Sequence, residues 1–492
     1  MTMGGPLSKV RRMACGGPYT GLLRCTTAVL ISAVLSACTV GPDYHRPDVA
    51  MTPAFKEVAG WTLAQPSDSM DKGPWWRLFD DPVLNDLEAR VEVSNQTLAA
   101  AEAAYRQARA VVAADRSQLF PTVNLTSGAT GGRSLAGGAQ TTTGATSHLY
   151  QVGAEASWAP DLWGKIRRQV EAAGANAQAS AGDLANLRLL AQGQLAIAYV
   201  QLRSADAQKD LFRRTIAAYE RSLHVVEIQF QAGAAPKSSV LSAQSTLSLA
   251  KANLIDLDRQ RTQAEHAIAV LMGAAPATVT IAPEPDWKPT PPDVPVLTPS
   301  TLLERRPDIA AAERRMAAAN AQIGAAVAAY YPNLNLLAGV GGEGTSIASL
   351  FSAPQLLWSL GASAAETVLD FGARKAAVAQ ARASYDQTVA NYRQTVLTAL
   401  QGVEDALAAA HILAGEEAYY VSAASDADQS ERLALAEFQG GRVDYITVAN
   451  AQAAALNAHV SLLALQAQRS IQTVDLLQAF GGGWRTVTTN SS

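Results

Sequence analysis

The sequence predicts a mainly α-helical protein with a smaller β-sheet portion, built from two similar halves. Three observations predict this fold class: an internal repeat, long stretches with helical periodicity, and short stretches that alternate apolar and polar residues. The repeat is plainest where FQAGAAPKSSVLSAQ at 230–244 matches FQGGRVDYITVANAQ at 438–452, with six of fifteen positions identical. A period of about 210 residues is too long for a solenoid and indicates a duplicated domain half.

A second part of the repeat lies upstream of the first. Residues 95–125 align without gaps on 306–336, with ten of 31 positions identical, and each copy reaches an aromatic–proline step. The proline-rich stretch 276–299 between the halves can sustain neither a helix nor a β-ladder. We therefore predict a first repeat at 95–275, a linker at 276–300 and a second repeat at 301–484, followed by a tail at 485–492.

Long helices are predicted because apolar residues recur at spacings of three and four on both sides of the aromatic–proline steps. Residues 166–231 contain no proline and would form a helix of about 99 Å at 1.5 Å per residue. A matching long helix is predicted at 375–438. Shorter helices are predicted in pairs whose members stack end to end alongside a long one, at 95–119 with 236–272 and at 306–330 with 443–480.

The strands are predicted from a period of two that begins just after each aromatic–proline step. Residues 150–158, YQVGAEASW, alternate apolar residues with small or polar ones, and WSLGASA at 358–364 does the same. Val123–Thr126 and Leu334–Leu336 begin the matching first strands, so each half contains one hairpin. An apolar face opposite a polar face that includes Gln151 and Glu155 is typical of a membrane-barrel strand, although a half-buried strand of a soluble sheet has the same local pattern.

Four strands cannot close a membrane barrel, since the smallest bacterial barrels have eight. Open sheet edges also do not persist within the hydrocarbon region of a bilayer. If the strands span a membrane, copies of this chain must complete the barrel, and the sequence then predicts an obligate oligomer.

The N-terminal segment has the features of an export signal. Four basic residues and no acidic residue lie among the first 38 positions, and the apolar run CTTAVLISAVLSA follows Arg24. LSAC at 35–38 resembles the lipobox of bacterial lipoproteins, in which the cysteine thiol is acylated. We therefore predict a lipoprotein signal peptide at 1–37 and a lipidated N-terminal segment with an equatorial region at 38–94. A lipid on Cys38 would attach the protein to a membrane.

Other interpretations of this segment stay open. An ordinary signal peptide with an incidental cysteine fits the same residues, and a twin-arginine signal at Arg11-Arg12 fits less well because it lies far upstream of the apolar run. Translation could also start at Met3 or Met13. All three cysteines lie within the first 38 residues, so the rest of the chain offers no cysteine for a disulfide or a metal site.

Charge and motifs argue against nucleic-acid binding and catalysis. The 492-residue chain has a net charge of -4, which becomes -8 without its first 38 residues, whereas a nucleic-acid binder needs clustered positive charge. Gly339–Gly344 matches GxGxxG and Glu366 follows, but Pro354 prevents the helix that dinucleotide binding requires. The six histidines show no metal-ligand spacing, and no GxSxG or Walker motif occurs. No enzyme activity and no cofactor besides the covalent lipid are predicted.

Motifs along the whole predicted mature chain, taken together, resemble the TolC-type outer-membrane efflux channels, in particular their NodT-like lipoprotein branch. They are LSACTVGPDY at 35–44, WWRLFDDPVLNDL at 75–87, SWAPDLWGKIRR at 157–168, RRPDI at 305–309, the FP and YPNL steps, the two FQxG turns and QAFGGGW at 478–484. This resemblance implies a TolC-like duplicated fold that forms a homotrimer. A twelve-stranded outer-membrane β-barrel would continue as a twelve-helix periplasmic α-barrel.

The resemblance also implies a function and partners. Such a channel is the exit duct of a tripartite efflux pump in a Gram-negative bacterium. It passively conducts drugs or other small molecules delivered through a periplasmic adaptor protein by an inner-membrane transporter. We expect a transporter of the RND type, and the sequence leaves open whether protons or ATP drive it. The alternative is a lipid-anchored coiled-coil scaffold or adhesin without a pore, which would not need the alternating strands.

The FQxG segments are predicted to be the periplasmic tip turns, where long helices reverse and the adaptor docks. Gly233 and Gly441 suit a left-handed backbone, and Phe230 and Phe438 can pack the last turn. In similar channels acidic rings and ion pairs of the second-repeat hairpin close the tip. Here Asn450 stands where several relatives carry Asp, and Ser242 is its counterpart. The candidate gate therefore consists of Arg442, Asp444 and Asn450, with charged neighbours Glu431, Arg432 and Glu437.

Overall fold

A computed structural model describes residues 39–48, 54–58, 74–134, 145–288, 291–292, 294, 306–350, 352 and 356–482. The helices are α1 (Pro82–Ser94), α2 (Gln96–Ser117), α3 (Lys165–Gln231), α4 (Lys237–Leu271), α5 (Pro307–Ala328), α6 (Ala373–Gln439) and α7 (Tyr445–Ala479). The strands are β1 (Thr122–Ser134), β2 (Ala145–Trp158), β3 (Asn333–Gly344) and β4 (Leu356–Ala365). Short 3-10 turns lie at Lys56–Val58, Trp75–Phe79, Pro276–Thr278 and Ile347–Ser349. The order confirms a duplicated, mainly α-helical fold with a β portion.

The described chain divides into two compact units, and the first contains the sheet. Its four strands are antiparallel in the order β1-β2-β3-β4. Val123 lies opposite Ala156, Val152 opposite Gly342, and Ala338 opposite Leu360. Among the described residues, β1 and β4 therefore each pair on one side only, and both outer edges keep free backbone hydrogen-bonding groups.

This register separates an apolar face of the sheet from a polar face, because directly opposed residues point to the same side. The apolar face runs from Trp158 to Tyr150 on β2 and extends across the sheet. Its members on the other strands are Val123, Leu125, Ala129, Leu334, Leu336, Ala338, Val340, Leu356, Trp358, Leu360, Ala362 and Ala364, with Ser127 as a polar exception. The alternation predicted for 150–158 and 358–364 is confirmed.

The second unit contains most of the helical residues and three buried apolar clusters. The largest cluster brings together residues of the N-terminal region, α1, α3, α4, α6 and α7, including Trp75, Leu84, Leu195, Leu407 and Leu476. These helices have the spacing of three and four that the sequence shows, so their apolar stripes face one another in the cluster.

The short helices stack end to end in both repeats, as predicted. In the first repeat, Asn95 separates α1 from α2, caps α2, and donates its side-chain amide to Leu271 O at the end of α4, at 2.7 Å. In the second, Arg306 directly precedes α5 and donates to Ala479 O at the end of α7, at 2.9 Å. Asn95 and Arg306 occupy equivalent positions of the two repeats. Each lies at the start of one short helix and satisfies a terminal carbonyl of the helix that stacks against it.

Side chains hold the described part of the linker in place. Arg203 donates to Ala282 O at 2.7 Å, and Arg261 donates to Ile281 O at 2.6 Å. Asp206 pairs with both arginines and is almost fully buried. Ala282 and Ile281 lie in an irregular part of the linker, so charged side chains of α3 and α4 satisfy their backbone carbonyls.

One buried acidic side chain of α1 has no hydrogen-bond partner among the described residues. Glu88 of α1 is fully buried, with 0% of its surface exposed, and within the described part of the chain neither of its carboxylate oxygens accepts a hydrogen bond. Burial, followed by the nearby charge of Glu92, raises the pKa of Glu88 to about 9. Glu88 is therefore a neutral carboxylic acid at pH 7.

Candidate functional site

The polar face of the sheet is the candidate conducting surface. It carries Thr122, Asn124, Thr126, Gln151, Glu155, Ser157, Asn333, Asn335, Glu343, Ser359 and Ser363, with Leu337 and Leu357 as apolar exceptions. Gln151 lies opposite Glu343, and Glu155 lies opposite Gly339. Gln151 and Glu155 are thus on the predicted polar side, whereas Val152 and Leu360 lie on the apolar side. A surface with two carboxylates and several hydroxyls and amides is suited to water and solutes rather than to lipid.

The two FQxG segments form the same backbone motif. Gly233 and Gly441 adopt left-handed φ values of 74° and 70°. In the first turn, Gly233 N–H donates to Phe230 O and Ala234 N–H donates to Gln229 O; in the second, the corresponding bonds reach Phe438 O and Glu437 O. This is the Schellman arrangement, in which a glycine just past the helix end satisfies its last carbonyls. The sequence repeat therefore corresponds to two helix reversals of equal geometry.

The two phenylalanines of these turns differ in packing. Phe438 is only 8% exposed and contacts the Tyr445 ring edge-to-face, with centroids 5.7 Å apart. Phe230 is 40% exposed and is therefore packed less fully than Phe438. The reason is local: Lys237, an exposed residue, stands at the repeat position of Tyr445, so Phe230 has no aromatic partner across its turn.

Three candidate gate residues lie beside the second turn but do not contact one another in the described contacts. Asp444 is the N-cap of α7, and its carboxylate accepts from the Thr447 backbone N–H at 3.0 Å and from the Thr447 hydroxyl at 2.8 Å. These two bonds lower the pKa of Asp444. Arg442 is exposed and makes no ion pair within the described ranges, and Asn450 is exposed on α7. In this chain Asp444 therefore has a structural role, whatever it contributes to a gate.

The N-terminal segment is held by a residue that sequence reasoning did not single out. Arg168 of α3 is buried and donates to Val40 O, to Gly41 O and to Asp43 at 2.9 Å. Asn320 donates to Pro42 O at 3.0 Å, and a Cβ on Gly41 would overlap Gly324. Residues 40–43 thus lie in a slot formed by Arg168, Asn320 and Gly324. Cys38 itself lies outside the described residues.

A contact between the repeats lies close to this slot, in the same unit. The Trp163 ring stacks on Tyr331, with centroids 4.8 Å apart and an interplanar angle of 22°, and its Nε1–H donates to Pro332 O at 2.8 Å. Trp163 belongs to the SWAPDLWGKIRR motif, and Tyr331-Pro332 is the aromatic–proline step of the second repeat. Arg168 and Trp163 both belong to the SWAPDLWGKIRR motif, so the sequence pointed to this segment. It did not show which residues elsewhere in the chain they contact.

Comparison with known proteins gives a family. Residues 89–274 and 298–482 match the family model described as outer membrane efflux protein. Outer membrane protein OprJ of Pseudomonas aeruginosa is 30% identical over 93% of this chain and 95% of its own length. Toluene efflux pump outer membrane protein TtgF of Pseudomonas putida is 29% identical, over 93% and 96%.

Solved structures agree with the family. The outer-membrane channel OprN superposes with a TM-score of 0.84 at 30% identity, covering 91% of this chain and all of that one. The transmembrane channel CusC superposes with a TM-score of 0.81 at 25% identity, over 90% and 100%. The chain belongs to the outer membrane efflux protein family and is an outer-membrane channel component of an efflux system.

Proposed function

We propose that the protein is the passive exit duct of a tripartite pump and that it works as a homotrimer. The observation that carries this proposal is the amphipathic four-stranded sheet, which has one apolar face, one polar face and two open edges. Three copies would supply twelve strands, enough to close a barrel with its polar face toward a water-filled lumen. The helices of the same three chains would continue the duct on the periplasmic side.

The helices give a second reason for oligomerisation. Two of them, Ala373–Gln439 and Tyr445–Ala479, are long and apolar enough to cross a membrane by length and composition, yet only 28% of each most apolar stretch is buried in one chain. Apolar surface of this extent calls for a partner. We assign that partner to neighbouring subunits rather than to lipid, because these helices end at the tip turns, which we place in the periplasm.

The remaining assignments rest on the family. We propose that the two tip turns dock a periplasmic adaptor protein, which connects the duct to an inner-membrane transporter of the RND type. Acylation of Cys38 would tether the trimer to the outer membrane. Relatives named for toluene efflux and for cation efflux are both similar to this chain over most of its length. We therefore assign cargo choice to the transporter.

Single-channel recording tests the duct directly. The molar mass of protein purified in detergent is first measured by light scattering, and the protein is then inserted into a planar bilayer. A trimer that gives discrete, long-lived conductance steps is expected. A trimer without conductance under any voltage would favour the scaffold or adhesin without a pore, and a monomer would overturn the assembly proposed above.

A further inference from the structure

The two residues that form the contact between the repeats have counterparts at the equivalent repeat positions, near the two outer strands of the sheet. Within one chain, Trp163 stacks on Tyr331, which begins the approach to β3. Phe371 stands at the position of Trp163, since each residue directly precedes a glycine with positive φ, Gly164 or Gly372, at the start of a long helix. Phe120 stands at the position of Tyr331, because each directly precedes the proline before a first strand.

Both counterparts are exposed in the single chain. Phe371 is 94% exposed and Phe120 is 64% exposed. Phe371 also adopts a left-handed φ of 50°, which is unfavourable for a residue with a side chain and persists only where surrounding structure holds it. Its neighbours Val368 and Leu369 are likewise exposed. An aromatic side chain in a strained turn with no covering residue indicates a surface that is incomplete in one chain.

We infer that Phe371 of one subunit stacks on Phe120 of the next subunit, repeating between chains the contact that Trp163 and Tyr331 make within a chain. The inference rests on the proposed homotrimer and adds its interface. The order of strands supports it: β2 pairs with β3 inside the chain, and β4 is the free edge that would meet the free β1 edge of a second copy.

The same repeat symmetry fixes the register of that strand pair. Inside the chain, Ala156 lies opposite Ala338 and Ala154 opposite Val340. The repeat offset carries β2 residues onto β4 by 208 positions and β3 residues onto β1 by 211 positions. Ala364 would then lie opposite Ser127 of the next subunit, and Ala362 opposite Ala129.

An independent check agrees with this register. Ala364 and Ala362 lie on the apolar face of β4, and Ser127 and Ala129 lie on the apolar face of β1. A register wrong by one residue would have placed apolar residues opposite polar ones, since side chains alternate between faces. The transferred register instead continues both faces of the sheet across the joint.

Crosslinking tests the aromatic contact. Phe120→Cys and Phe371→Cys are combined in one chain, and the membrane-extracted protein is treated with a short bifunctional thiol reagent. A ladder of covalent dimer and trimer on a denaturing gel is expected. The single variants show any crosslinking through native cysteines, and the Trp163→Cys/Tyr331→Cys pair should crosslink within one chain and run as a monomer.

A disulfide test separates the register from its nearest alternative. Ala364→Cys with Ser127→Cys should form an intersubunit disulfide, because directly opposed Cβ atoms lie about 4.5–5.5 Å apart. The shifted pair Ala362→Cys with Ser127→Cys should form it at least tenfold more slowly. Faster bonding of the shifted pair would overturn the register.

A mass measurement separates failure of this inference from failure of the proposed function. A trimer by light scattering in which neither cysteine pair links the subunits would overturn the inference and leave the homotrimer standing. A monomer would overturn both. As a further readout, Phe371→Ala should lower the temperature at which the trimer dissociates more than Val368→Ala, an equally exposed residue of the same turn, and should add little to Phe120→Ala.

Discussion

The guanidinium of Arg168 and the carboxylate of Asp43 lie 2.9 Å apart, which joins α3 to a segment 125 positions earlier in the chain. Arg168 is almost fully buried, whereas Asp43 is exposed. The arginine also donates to the Glu171 carboxylate and to the backbone carbonyls of Val40 and Gly41, so one side chain fixes the residues that follow Cys38. Through this contact, residues 40–43 are tied to the start of α3.

Arg168→Ala should release residues 39–43. The Val40 and Gly41 carbonyls would lose their donor, at about 0.5–1.5 kcal/mol for each hydrogen bond, because Gly41 is exposed and Val40 only half-buried, so water can reach the freed groups. We expect faster cleavage of this segment by a protease of broad specificity, followed by mass spectrometry of the products. Lys165→Ala, an exposed position one turn earlier on α3, is the control and should leave the rate unchanged. Equal rates in both variants would show that Arg168 does not hold the segment.

Cys38→Ser should abolish acylation, because an alcohol cannot form the thioether to diacylglycerol. The barrel would still hold the trimer in the membrane if it folds, so partial function is expected. Metabolic labelling with a fatty acid measures the lipid, and growth in the presence of efflux substrates measures function. An unmodified Cys38 in the mature wild-type protein would refute the lipid assignment.

Arginine substitutions should distinguish the two faces of the sheet. Val152→Arg and Leu360→Arg lie on the apolar face and should cost about 2–4 kcal/mol near the bilayer midplane. Gln151→Arg and Ser359→Arg lie on the polar face, where we expect normal trimer yield and a shift of ion selectivity toward anions. Trimer abundance and reversal potentials are the measurements. If all four variants behaved alike, the assignment of the faces to lipid and lumen would be wrong.

The gate hypothesis now needs a variant that separates charge from helix capping. If Arg442 and Asp444 pair with charges of neighbouring subunits or hairpins across the constriction, Arg442→Ala and Asp444→Ala should raise conductance and sensitise cells to large antibiotics, because the charge left unpaired disfavours the closed state. Asp444→Asn removes the charge but keeps an N-cap side chain. Conductance raised by both Asp444 variants supports a role for charge, whereas an effect of alanine alone identifies the cap.

A second arm concerns the position where relatives carry an acid. Asn450→Asp should not open the channel, since it adds an acidic side chain where similar channels have one. Wild-type conductance in Arg442→Ala and in both Asp444 variants, at equal trimer abundance, would remove these residues from the gate. Closure would then depend on apolar packing around Phe438, Val443 and Tyr445.

Glu88 should make stability depend on pH. Its pKa is raised from 4.5 to about 9, so the unfolded chain loses this proton at a lower pH than the folded chain. The stabilisation is complete below pH 4.5 and is lost progressively as the pH rises from 4.5 to about 9. Glu88→Gln should therefore raise the unfolding temperature at pH 8 and remove part of its pH dependence. Glu102→Gln, on the exposed surface of α2, should not.

The sequence by itself determined the duplication, the element types and their approximate bounds. The periods of 3.6 and 2 are local properties, so helices at 166–231 and 375–438 and strands at 150–158 and 358–364 could be predicted from residues close together in the chain. Gly233 and Gly441 could be placed in turns for the same reason, since a left-handed backbone just past a helix end favours glycine wherever it occurs.

Only the tertiary structure decided which side chains meet. The Phe230 and Phe438 motifs are alike in sequence, yet Phe438 is buried against the Tyr445 ring, whereas Lys237, at the repeat position of Tyr445, is exposed and offers Phe230 no ring. Arg168 and Glu88 are ionisable residues on helices, and nothing in their local sequence marks them as buried. Their burial depends on segments that the fold brings in from far along the chain. Periodicity specifies the face of an element, but the neighbour of that face depends on topology.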